Sequence, residues 1–325
     1  MTPGTIIVTG ESVVDLIPAG PEGRHEYRAV TGGSSFNVAL GLARLGMPVA
    51  FCDTLSRDPE GQRMFAKLAG AGADMALVRR SDLPSTAALV AMDAEGKPHF
   101  SLYVAGSTTD ADPPLNQLVS DWPAQACHLH GGSFASTIGK GGDAFLAASL
   151  ALKGKATVSF DINIRALIIP PRETSRWLVE ERVLAASIVK ASDDDLKWLY
   201  PGVLPEQVAH RWSEYRARLV ALTLGSGGAM IFGAGAPVKI TPQPVKIVDT
   251  LGAGDSFMAA LLAAAAADGA LGDAERLLDP ARAARWLSAA VLASGITCAR
   301  AGSDPPTRAE MRLASIAGGL KLEAG

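Results

Sequence analysis

Hydrophobic positions along the chain fall into two alternating patterns. Ile6-Ile7-Val8, Val49-Ala50-Phe51, Thr157-Val158-Ser159-Phe160, Ser187-Ile188-Val189 and Leu219-Val220-Ala221-Leu222 are short, nearly continuous apolar runs. Runs of that length, rich in β-branched residues, predict buried strands. Ser35 to Leu45, Glu60 to Ala71, Gly142 to Leu152, Arg172 to Ala185, Pro205 to Arg216, Ser256 to Ala267 and Pro280 to Ser294 carry helical patterns. Strand–helix alternation through most of the chain predicts an α/β fold. Its central sheet is mainly parallel and flanked by helices on both faces.

Two segments break the alternation. Glu11 to Val30 has polar turns (Pro18 to Gly23) between short strand-like pieces. Thr86 to Val104 reads as a hairpin: Ala87 to Met92, an Asp93-Ala94-Glu95-Gly96 turn, then His99 to Val104. Taken as surface excursions, they need no role. Taken together, segments 11–30 and 86–106 form a small β lid, leaving 1–10, 31–85 and 107–325 as a large nucleotide- and substrate-binding domain.

Candidate chemistry sits where strands end. Asp249-Thr250-Leu251-Gly252-Ala253-Gly254-Asp255 precedes the apolar run from Ser256, with a strand expected to end near Val248. Backbone N–H groups at a helix start lack partners and attract anions. Gly252 and Gly254 carry no side chain to keep an anion away, and Asp255 adds a carboxylate beside that anion site. Such a carboxylate makes sense if it takes a proton from a hydroxyl attacking phosphorus. An ordinary glycine turn capped by Asp is the plainer account.

A glycine pair opens a second helix in Gly32-Gly33-Ser34-Ser35-Phe36-Asn37-Val38-Ala39, continuing to Leu42-Ala43-Arg44-Leu45-Gly46. The Asn37 amide, near that helix start, can donate to and accept from sugar hydroxyls. Asp15 follows the first strand in Gly10-Glu11-Ser12-Val13-Val14-Asp15, where α/β folds bind ligands. Asp161-Ile162-Asn163-Ile164-Arg165 also follows a strand. Arg165 can fork onto phosphate or pair with Asp161. Lys190-Ala191-Ser192-Asp193-Asp194-Asp195 offers a carboxylate for Mg²⁺ or a helix cap by Ser192. Thr223-Leu224-Gly225-Ser226-Gly227-Gly228 is a strand end with a glycine turn.

Together these strings resemble the PfkB (ribokinase-like) family of carbohydrate kinases, bacterial fructokinases most of all, from residue 10 to residue 306. The Asp-Thr-x-Gly-Ala-Gly-Asp string is the most specific match. The resemblance implies that Asp255 is the base and that Gly252, Ala253, Gly254 and Arg165 stabilise the transferring phosphoryl group. It places the sugar on Asp15, Gly32, Gly33, Asn37, Asn163 and Asp255, with Tyr103 as a lid contact. It assigns Lys190, Thr223, Gly225, Gly228, Gly252 and Gly254 to ATP. It places Asp195 on Mg²⁺ through water, although relatives carry Asn-x-x-Glu where this chain has Ser192 and Asp195. Asp249, Thr250 and Gly302 are expected at a K⁺ site, near the Ile296 to Pro306 loop. The expected reaction is ATP-dependent phosphorylation of a primary hydroxyl, fructose at O6. The alternatives are 2-keto-3-deoxygluconate, ribose or a nucleoside as acceptor, or a binding protein without catalysis.

Composition narrows the partners. A 325-residue chain that is 48% hydrophobic can bury a large core, and a net charge of −3 with no basic block argues against nucleic acid or an acidic membrane. Met1 to Gly10 lacks a signal-peptide pattern, and Cys52, Cys127 and Cys298 show no disulfide or metal spacing, so the cytoplasm is expected. The five histidines form no zinc cluster; His128 and His130 read as alternation through a core strand. Apolar lid residues Phe100 to Val104 would gain from a partner lid, which predicts a homodimer.

Overall fold

The computed structural model describes residues 3–19, 26–92, 98–215, 217–233 and 235–317. In chain order the strands are β1 (Thr5–Thr9), β2 (Val13–Pro18), β3 (Tyr27–Gly32), β4 (Val49–Cys52), β5 (Thr54–Ser56), β6 (Arg79–Ser81), β7 (Thr86–Met92), β8 (Pro98–Tyr103), β9 (Ala126–Gly132), β10 (Thr157–Asp161), β11 (Ile188–Ser192), β12 (Leu219–Thr223), β13 (Ala229–Gly233) and β14 (Gly235–Ile240). The α-helices are α1 (Ser34–Arg44), α2 (Pro59–Gly70), α3 (Leu115–Leu118), α4 (Gly139–Ala151), α5 (Arg172–Ala185), α6 (Asp193–Leu199), α7 (Pro205–Tyr215), α8 (Ala253–Ala267), α9 (Pro280–Cys298) and α10 (Arg308–Ala317).

An eight-stranded sheet runs in the order β14-β13-β12-β11-β10-β9-β1-β4. From β12 to β4 every pairing is parallel, and β13 and β14 add antiparallel to one edge. The apolar runs lack polar alternation because both faces are buried. Ile6 and Val8 join the core under α1, α8 and α9, whereas Ile7 between them joins the opposite core under α4, α5 and α7. That is the two-residue period of a strand feeding two layers at once. Alanine-rich α8 packs between α1 and α9. No helix among the described residues is long and apolar enough to cross a membrane.

A separate four-stranded sheet, β3-β2-β7-β8, draws on both segments that break the alternation. β2 pairs parallel with β7, and β3 and β8 pair antiparallel outside them. The expected Asp93 to Gly96 turn, and residues 20–23 of the Pro18 to Gly23 turns, lie outside the described residues.

Several boundaries differ from the sequence reading. No strand ends near Val248: β14 stops at Ile240, and residues 241–252 form no ladder. Pro242 and Pro244 remove the amide donors a ladder needs there. α8 starts at Ala253 rather than Ser256, which places Asp255 inside its first turn. His128 and His130 lie within β9, buried, with their rings bonded to Thr157 and Ser159. The short β5–β6 pair carried no sequence signal, being three residues per strand.

Candidate functional site

The helix starts of α1 and α8 meet beyond the carboxyl ends of the parallel strands. Asp255 is only 8% exposed there. Its Oδ1 accepts from Ser34 Oγ at 2.7 Å and its Oδ2 from Asn37 Nδ2 at 2.8 Å. Asn37 Oδ1 in turn accepts from Ser303 Oγ at 3.2 Å. The carboxylate is thus fixed by donors from α1. Gly252 caps α8 in a left-handed conformation, φ 74°. A Cβ at Gly252 would come within 2.5 Å of Ser303 Cβ. Gly252→Ala therefore combines backbone strain with a clash, and a destabilisation of about 1–3 kcal/mol is expected by denaturant titration.

Lys190, in the middle of β11, points at the start of α8. Its Nζ contacts both Asp161 oxygens, at 3.0 and 2.9 Å. A Cβ on Gly254 would lie 2.9 Å from that Nζ. Burial alone would lower the Lys190 pKa, but Asp161, Asp195 and Asp255 together raise it. A buried cation therefore stands against the start of α8, where the Gly254 amide donates to no partner among the described residues and that of Ala253 donates to the Thr250 carbonyl at 3.2 Å. A cation beside a helix start favours an anion.

Asp161 is committed to Lys190, so the alternative pairing of Asp161 with Arg165 is not made. Arg165 is exposed; its carbonyl accepts from Ile168 N at 2.9 Å and Ile169 N at 3.2 Å, while its guanidinium makes no hydrogen bond or ion pair among the described residues. Burial raises the pKa values of Glu11 and Asp15, and the Arg165 charge partly opposes that rise. Asn163 adopts a left-handed backbone, φ 40°, in the same loop. Asp195 accepts from Ser192 N at 2.8 Å, Ser192 Oγ at 2.7 Å and Ile164 N at 2.8 Å. Its carboxylate closes a capping box on α6 and anchors the Asn163 loop.

Asp15, on β2, is 7% exposed. Burial pushes its pKa up to about 6, with Arg165 lowering it and Asp255 raising it. Gly32 ends β3 next to Asp15, and Gly33 precedes α1. Tyr103 is set apart from this group. Cross-strand register pairs Asp15 with Ala88 and Tyr103 with Ala87. Neighbouring residues point to opposite faces, so Tyr103 lies on the other face of the small sheet, 62% exposed.

Thr223 ends β12, and Gly225 and Gly228 frame the turn into β13. Asp249 ties two loops together: Oδ1 accepts from Leu251 N at 3.0 Å and Oδ2 from Gly302 N at 2.8 Å. Thr250 is exposed beside it. Among the described residues no group of three or more His, Cys, Asp or Glu is arranged to hold a metal. A divalent ion here would take most of its ligands from phosphate and water.

Glu11, Ser34 and Ser303 belong to this group but were not singled out from sequence. Ser34 could have been found, since it lies between the glycine pair and Asn37. Ser303 has no local signal; only the fold brings it to Asn37.

The chain matches the pfkB family carbohydrate kinases over residues 4–303. It is 30% identical over 271 residues to a fructokinase of Rhizobium leguminosarum bv. trifolii, covering 82% of this chain and 81% of that one. Among solved structures it resembles a Xylella fastidiosa fructokinase with bound ATP, with a TM-score of 0.85, 24% identity, and 97% and 99% of the two chains covered. A Vibrio cholerae O395 fructokinase in fructose-, ADP- and calcium-bound form gives a TM-score of 0.81 at 24% identity, covering 95% and 98%.

Proposed function

The chain belongs to the pfkB family of carbohydrate kinases, and from that premise we propose that it transfers the γ-phosphoryl group of ATP to the 6-hydroxyl of D-fructose. The observation that carries this reading is the Asp255 carboxylate, held by Ser34 and Asn37 in the first turn of α8, with Lys190 at the same helix start. A site that only bound an anion would gain nothing from a carboxylate there.

In this reading the sugar lies between the large domain and the small sheet, which acts as a lid. Asp15, Gly33, Asn37 and Asn163 hold its hydroxyls. Asp255 orients the primary hydroxyl and takes its proton as oxygen attacks phosphorus. The amides of Gly252 and Gly254, with that of Ala253 once released from the Thr250 carbonyl, stabilise charge on the phosphoryl oxygens, and Arg165 adds an exposed cation from the loop after β10. Lys190 and the Thr223 to Gly228 turn line the nucleotide side. Closure of the small sheet excludes water that would otherwise take the phosphoryl group. Mg²⁺ arriving with ATP would supply neutralisation of the phosphate charge, with few ligands from the protein. Asp195 Oδ1, which among the described residues accepts only from Ile164 N, can also accept from a water of that ion's shell.

Fructose is favoured because most of the named relatives are fructokinases, although an aminoimidazole riboside kinase is also among them. Asp249, tying residues 249–251 to Gly302, fits a K⁺ site built of backbone carbonyls with Asp249 and Thr250. A KCl series is expected to raise turnover severalfold, and a flat response would remove that site. A homodimer joined through the small sheets and a cytoplasmic location complete the proposal.

The test is ADP release by purified protein with Mg-ATP against fructose, ribose, glucose, 2-keto-3-deoxygluconate and adenosine. Turnover with fructose alone supports the reading. Turnover with another acceptor keeps the Asp255 chemistry and changes the substrate. Sugar binding without turnover on any of them would favour a binding protein.

A further inference from the structure

Glu11 lies directly after β1, is 2% exposed, and belongs to the group around Asp255. Its Oε1 accepts from Ser34 N at 3.2 Å. Ser34 then donates through its hydroxyl to Asp255 Oδ1 at 2.7 Å. Glu11 and Asp255 are thus joined through one residue by two hydrogen bonds. Glu11 Oε2 is buried with no hydrogen-bond partner among the described residues. Ser133 lies close enough for its hydroxyl to influence Glu11 but makes no well-formed hydrogen bond to it. Ser133 also holds a left-handed backbone, φ 58°, just past β9. Strain of that kind in a buried non-glycine residue gathers at functional sites.

We propose that Glu11 is a positioning residue for phosphoryl transfer: its carboxyl sets Ser34, and Ser34 sets the Asp255 carboxylate. The inference rests on Asp255 being the base. Glu11 is suited to the role as the neutral acid. An ionised carboxylate with one buried, unbonded oxygen would be costly, and it would set a second negative charge beside Asp255. The groups facing it are Ser34 from α1, Ser133 after β9, Arg165 after β10 and Asp255 from α8. Burial pushes its pKa up to about 8. Arg165, the Ser34 N–H bond and the nearby Ser133 hydroxyl lower it, and Asp255 raises it. At neutral pH the acid form prevails, and above about pH 8 the added charge disturbs Ser34 and Asp255.

The test compares wild type, Glu11→Gln and Glu11→Ala in kcat and KM for sugar and ATP from pH 6.5 to 9. Denaturant unfolding is followed over the same range. Gln keeps an acceptor for Ser34 N and replaces the acid O–H with an N–H donor. E11Q should keep kcat within a few fold at pH 7 and lose the alkaline decline centred near pH 8. E11A should lose roughly ten- to a hundredfold in kcat, as expected for a displaced catalytic group, with little change in KM for ATP. Folded Glu11 holds a proton that the unfolded chain loses near its ordinary value of 4.5. Its contribution to stability is therefore present at low pH and fades as pH rises through about 8. E11Q should lack that dependence. An E11Q with the wild-type alkaline decline overturns the inference. So does an E11A with wild-type kcat, or an E11Q as impaired as E11A. Wild type inactive on every sugar fails the proposed function and takes this inference with it. Active wild type with either contrary variant result fails Glu11 alone.

Discussion

Asp255→Asn is expected to lower turnover by roughly two to four decades while leaving the fold intact. The loss is chemical, because the amide cannot accept the proton. The fold survives because the local bonds can adjust. Asp255 accepts from Ser34 Oγ and Asn37 Nδ2. An Asn at this position can keep its carbonyl toward Asn37 and turn its NH₂ toward Ser34, whose hydroxyl then accepts rather than donates. Sugar and ATP binding should persist, so the effect falls on kcat. Steady-state kinetics with calorimetric sugar titration checks both halves. Near-normal turnover would remove Asp255 from the role of base.

Lys190→Met should cost both stability and rate. Lys190 and Asp161 are fully enclosed, with their charged atoms 2.9 Å apart. Removing the ammonium leaves a buried carboxylate without its partner, a change that costs about 3–5 kcal/mol. It also removes the cation next to the α8 helix start. A fall in kcat of roughly a hundred- to a thousandfold is expected, the scale of losing one preorganised charge stabiliser. The double substitution Lys190→Met with Asp161→Asn separates the two effects. Stability should largely return, since no unpaired charge is left buried, while activity stays low. Recovery of both together would make Lys190 structural rather than catalytic.

The sequence carried the large features because they depend on local pattern. Ile6-Ile7-Val8 could only be a strand buried on both faces. The Gly252 to Asp255 string could only be useful at a helix start. Asp15, Asn37 and Asp255 were each marked by the glycine-containing strings around them, and the fold brings Asn37 and Asp255 into contact. Distant pairings were not. Lys190 sits in a strand whose neighbours look apolar, and its partner Asp161 stood closer in sequence to Arg165. Parallel β10 and β11 place Asp161 beside Lys190, a fact of sheet order rather than of spacing. The position of Tyr103 on the sheet face away from Asp15 was hidden for the same reason. Which face of a strand a residue takes depends on register, and one position decides it. The irregular segment at 241–252 follows from its prolines, which a reading of hydrophobicity alone passed over.

In the proposed reaction phosphorus moves from ATP to the 6-hydroxyl of the sugar at Asp255. Proton–phosphorus correlation NMR on the reaction with fructose tests it most directly. The account predicts a new phosphoester signal coupled to the two protons on C6, formed by wild type and abolished in D255N. Phosphorus on C1, release only as inorganic phosphate, or the same C6 signal at the same rate from D255N would contradict it.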